Sequence, residues 1–148
     1  MMNPDLIRLN DYLTGFSIDN DGTPLKSIMT TAQADATSKL SFLSGVQVLA
    51  ARPDERRTYN GDSYSRSLNT AFFVVAKGLA QSGDYEMENE QYRLLARLAA
   101  SIVVLVMSDS TSGVCNLLSG LAVASVDIAP ESSIFGGWCG YSVEISFE

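Results

Sequence analysis

The chain contains no histidine. That absence removes Ser-His-Asp and Cys-His catalysis, histidine metal sites and the usual general base near neutral pH. Cysteine is scarce as well. Cys115 and Cys139 are too few and too far apart for a zinc site, and a reducing compartment would keep both as thiols, with Cys139 expected in the core. Basic residues are outnumbered, with ten Lys and Arg against seventeen Asp and Glu, giving a formal charge of −7 and an isoelectric point near 4.5. General affinity for nucleic acid needs a net basic surface that displaces counterions, so it is not expected here. The longest apolar run, around residues 102–107, is far too short to cross a bilayer. No basic start followed by an apolar stretch suggests a signal peptide, and a cytosolic site of synthesis is expected.

What is present is ample apolar material. The 148 residues are 46% hydrophobic and 18% charged, which predicts a globular chain of one domain with a single core. The clearest element is a helix over residues 85–107, with Leu94, Leu95, Leu98, Ala99, Ile102, Leu105 and Val106 at three-to-four spacing. Arg93, Arg97 and Ser101 fall on its other side. Glu86, Glu88 and Glu90 crowd its first turns, and Asp84 is the candidate N-cap.

Upstream, Asn3-Pro4-Asp5 opens a first helix whose buried stripe is Leu6, Leu9, Leu13 and Phe16. Residues 17–24 read as a turn-rich loop. Asp19-Asn20-Asp21-Gly22 hints at a calcium loop, but the flanking positions that should carry carboxylates hold Ser17 and Ile28, so a polar turn is the reading. Residues 25–43 mix strand and helix signals, and the choice stays open. Strands are predicted over 45–51, 67–77, 117–128 (ended by Pro130) and 138–148. In the last, Cys139, Tyr141, Val143, Ile145 and Phe147 face a core while Ser142, Glu144, Ser146 and Glu148 face water. The order predicts an α+β fold: a single domain, a mostly antiparallel sheet, and helices packed on one face.

No catalytic set emerges. The glycines of 136–140 lead into a strand and lack the Lys-Ser/Thr of a phosphate loop. Asp109, Asp127, Glu131 and Glu144 have no spacing that makes them converge, and no enzyme and no cofactor are expected. Residues 52–66 are too polar for the core and long for a hairpin connection, where about 2–5 residues are usual. Two readings stand: a solvated hairpin tip, or a projecting arm that docks on a neighbouring subunit. Arg52, Arg56, Arg57, Tyr59 and Tyr64 are of the types enriched at such contacts. Trp138, where the chain enters the last strand, is read either as cover for the sheet's edge or as an interface anchor.

The second half has a recognisable order. A strand ending in Phe72-Phe73-Val74-Val75 leads to a helix with Tyr92, Leu95 and Leu98, closed by Asp109. A strand reaching Ile128-Ala129-Pro130 then leads through a loop to Gly137-Trp138 and the final alternating strand. Over residues 67–148 this order resembles the tail-terminator and related neck or tail-completion proteins of tailed bacteriophages. Residues 30–39 and 52–66 have no counterpart in that pattern. The resemblance implies a structural virion protein that forms a ring, as a hexamer or dodecamer, at the neck or head-proximal end of the tail. Its partners would be copies of itself and neighbouring tail or neck proteins, with DNA at most passing through a lumen and no membrane. The alternative is a small non-catalytic bacterial ligand-binding or scaffold domain acting as monomer or dimer.

Overall fold

The computed structural model describes residues 4–77, 85–112, 116–118 and 120–148. Asp84, the expected N-cap, and Cys115 lie outside the described residues. The elements run α1 (Pro4–Thr14), β1 (Ser17–Asn20), β2 (Thr23–Lys26), β3 (Ile28–Thr30), α2 (Gln33–Leu40), β4 (Gln47–Ala51), β5 (Asp54–Asn60), β6 (Ser63–Lys77), α3 (Tyr85–Thr111), β7 (Val123–Ile134) and β8 (Trp138–Phe147), with a 3₁₀ turn at Asn116–Leu118. The class is α+β, in a single domain.

Six strands form the main sheet, in the order β3-β4-β6-β8-β7, with β5 alongside the first half of β6. All its pairings are antiparallel except β3 with β4, which are joined through α2. β1 and β2 make a separate hairpin where a loop was expected. Its turn is Asp21-Gly22, both at positive φ, a geometry that favours two-residue hairpins. The Asp19 carboxylate accepts a hydrogen bond from the Gly22 N–H at 3.1 Å. Both halves of the open 25–43 reading are realised: a strand at β3 and a helix at α2.

The sheet has two unequal faces. On the first, α1 and α3 cover Val48, Ala50, Leu68, Phe72, Val74, Val143, Ile145 and Phe147. α3 contributes Leu95, Leu98, Ala99, Ile102 and Val106, the stripe its spacing predicts. By length and composition alone α3 could span a bilayer. Here that apolar content makes the floor of a core, with Arg93 and Arg97 exposed. The Tyr12 hydroxyl donates to the Asp109 carboxylate at 2.7 Å, tying α1 to the end of α3.

On the second face the short α2 packs Ala36 and Leu40 against Leu49, Val75, Phe135 and Trp138. The expectation of helices on one face therefore holds for α1 and α3 and is corrected for α2. β7 also departs from expectation. It starts at Val123 and runs through Pro130 to Ile134, with Pro130 opposite Tyr141. β7 is an edge strand, so a proline can leave its outer side without an N–H and break no ladder.

Candidate interface: a projecting hairpin arm

Residues 52–66 are two strands and not a loop. β5 pairs with β6 from Asp54↔Asn69 to Asn60↔Ser63, and only Gly61-Asp62 make the connection. Gly61 has φ +64, the conformation that glycine takes without steric cost at the first turn position. On the other side of β6, pairing with β8 ends at Leu68↔Phe147. Everything from Arg56 to Ser67 is therefore a two-stranded ribbon reaching past the sheet, exposed from Arg56 to Ser65 and half-buried at Arg66 and Ser67.

Alternation sorts the candidate residues. Arg57, Tyr59, Tyr64 and Arg66 share one face of the ribbon, since Arg57↔Arg66 and Tyr59↔Tyr64 are register partners. The two tyrosine rings lie 5.7 Å apart and stay 69% and 63% exposed. Arg57 donates to Glu55 Oε1 at 2.7 Å, and this carboxylate, with Tyr59 next, raises the guanidinium's pKa. Arg66 meets Asp5 of α1 at 2.7 Å, which roots the ribbon in the body. The Asp5 carboxyl is held below its ordinary value by its hydrogen bond to Arg8 and by Arg66. Arg56 points from the opposite face. Arg52 stands at the base, its guanidinium 3.2 Å from Asn10 Oδ1 and its N–H bonded to Thr30 O at 2.9 Å. The arm thus gathers Arg57, Tyr59 and Tyr64, adds Arg66, and leaves Arg52 and Arg56 apart.

Trp138 does not belong to this surface. It is 2% exposed, packed under α2 with Leu49, Val75 and Phe135. The reading as an interface anchor is corrected: α2 and the β7–β8 turn cover the strand face on which it lies. Lys77, its register partner, sits 6.0 Å from the ring centroid. Cys139, on the other face, is buried and its thiol donates to Gln91 Oε1 at 3.2 Å. Burial, with the adjacent Cys139 adding to it, pushes the Tyr92 hydroxyl up to about 12, and that hydroxyl donates to Glu131 O at 3.1 Å.

No family model matches this chain, and no curated protein matches it. The geometry therefore carries the functional reading.

Other features could not be read from sequence. Asp127 and Glu144 are direct register partners on β7 and β8, although nothing in their spacing brings them together. Among the described residues no group of three or more Cys, Asp or Glu side chains is placed to hold a metal. The outer flank of α3 exposes Val104 and Met107 beside Ala100. The only sequence sign of this flank is its lack of charge after Arg97.

Proposed function

We propose that this chain is a non-catalytic structural subunit that assembles with copies of itself through the 52–66 arm. The setting that its resemblance suggests is the neck or head-proximal ring of a bacteriophage tail. One observation carries the reading: a ribbon beyond the sheet presents two exposed tyrosines flanked by arginines. A lone two-stranded hairpin is marginal in water, and tyrosine and arginine are the residues that most often dominate interfaces. A neighbour that buries this face supplies what the isolated subunit lacks. The net negative charge suits a wall past which DNA slides without sticking.

The test is a shortened arm lacking Tyr59, Asn60, Ser63 and Tyr64, with Gly61-Asp62 kept between Thr58 and Ser65. Ladder pairs alternate with period two, so the turn meets the same kind of pair as before. The expected result is a folded monomer where the full chain forms rings by sedimentation. Wild-type assembly by the shortened chain would sink the reading.

The exposed flank of α3 favours the second reading, a scaffold domain dimerised through that helix. A dimer that survives arm shortening and is lost on Val104→Asp would select it.

A further inference from the structure

The second sheet face is covered at one end by α2 and left bare at the other. The bare end is a shallow depression of about 440 Å³ lined by Ala51, Arg52, Asp54, Ala71, Asp127 and Glu144, among others. Asp127 and Glu144 face each other directly across β7 and β8, and neither has an ion-pair partner among the described residues. Like charges so placed are destabilising, so the subunit alone gives no reason for the pair. Beside it, sharing Ala51, is an apolar notch of about 260 Å³ between the start of α2 and the β7–β8 turn. Phe73 and Phe135 form its walls, with Ala32 and Ala36 on the α2 side.

We infer that this bare face receives the arm of a second copy of the chain, one tyrosine of the Tyr59–Tyr64 pair entering the notch and Arg57 lying over Asp127 and Glu144. The inference rests on the arm being the assembly element. Its warrant is complementarity in charge, shape and spacing. From Arg56 to Arg66 the arm carries three arginines against Asp62, two of them held by Glu55 and Asp5, and the receiving depression carries Asp54, Asp127 and Glu144 against Arg52. The notch, at about 260 Å³, has room for an aromatic side chain. Arg57 and Tyr59 lie two residues apart on one face of β5, roughly 7 Å. On the receiving side, Phe73 of the notch and Ala71, the register partner of Glu144, are likewise two residues apart on β6. The arm starts at Asp54, beside its own depression, and runs away from the sheet, so it cannot fold back on that face. A second copy can offer the face, in a head-to-tail contact that closes into a ring when the rotation permits.

The experiment mixes two defective chains. The shortened arm and the double variant Asp127→Lys, Glu144→Lys should each stay monomeric by sedimentation. An equimolar mixture should form pairs, because one intact arm then meets one intact face. The isosteric double variant Asp127→Asn, Glu144→Gln controls for folding. Its thermal midpoint should hold or rise while self-association weakens about tenfold or more, as for charge pairs buried at an interface. Filling the notch from its exposed rim by Ala32→Phe should weaken association similarly. If the shortened arm abolishes assembly but the lysine or isosteric variants assemble like wild type, the docking face is wrong and the arm reading survives. A mixture that stays monomeric has the same meaning. A midpoint that falls with association in the isosteric variant would make the carboxylates structural and overturn the inference. A full chain that is monomeric at every concentration would remove both readings.

Discussion

Strand β6 runs through two environments. From Phe72 to Val75 it lies between β4 and β8 with helices on its faces, whereas before Leu68 it has β5 alone beside it. The covered half reads Phe72-Phe73-Val74-Val75, apolar on both faces because α1 and α3 pack on one and α2 on the other. The bare half reads Ser63-Tyr64-Ser65-Arg66-Ser67, small polar residues alternating with a ring and a cation. Both halves are strand. The first is held by burial, and the second by a glycine turn, a tyrosine pair and an ion pair to α1. A strand therefore need not announce itself by hydrophobicity, and the lack of it in 52–66 hides a strand without excluding one.

Substitutions in the covered half should have the largest effects. Gly140 of β8 pairs with Val75, and a Cβ there would lie 1.8 Å from the Val74 carbonyl oxygen. Backbone blocks that approach, so Gly140→Ala should cost about 4 kcal/mol or more, at the upper end of single substitutions. Denaturant unfolding checks this, and a midpoint near wild type would show that the strands can separate there at little cost.

Next comes Trp138→Ala. Its ring fills the second core, and truncation of a buried aromatic costs about 3–5 kcal/mol. Unfolding of the monomer at milder denaturant is expected; a stable monomer defective only in assembly would restore the tryptophan to an interface.

The bare half should answer to pH at its root. The Asp5 carboxyl is depressed below its ordinary 3.8, first by Arg8 and then by Arg66. A depressed folded value means that its stabilisation is complete above the ordinary value and is lost as pH falls through the folded one. Protection of the amides along residues 63–67, corrected for the slower intrinsic exchange in acid, should therefore fall below about pH 4 in the wild type. It should lose that pH dependence in Asp5→Asn, while residues 70–77 stay protected in both. Equal acid sensitivity of the two halves would mean that the arm is not rooted through Asp5. The smallest effect belongs to Arg97→Ala, whose contact with Asp21 spans 3.9 Å between exposed side chains. It should stay within about 0.5 kcal/mol of wild type in the same unfolding assay.

Some of the fold was readable because local chemistry decides it. The stripe of α3 and the core face of β8 follow from periods of 3.6 and two, and came out as expected from Leu95 to Val106 and from Cys139 to Phe147, whereas Ser142, expected to face water, is buried and bonded to Glu131 of β7. The turn at Asp21-Gly22 is legible, but the β1–β2 strands around it are four residues each and mostly exposed, so no apolar alternation marks them. In β7, Pro130 looked like a terminator. A proline stops a strand only where its missing N–H is needed, and that depends on which strand lies at the edge.

The amino-acid sequence by itself determined the class of the fold, the two elements with sustained periodicity, and the lack of histidine chemistry, since each rests on residue type and short-range spacing. Only the tertiary structure decided three other things. It buried Trp138 beneath α2, it turned residues 52–66 into a ribbon rooted on Asp5, and it set Asp127 against Glu144. Each of these depends on a partner distant in the chain. Sheet register and helix placement bring such partners together, and no local propensity encodes them.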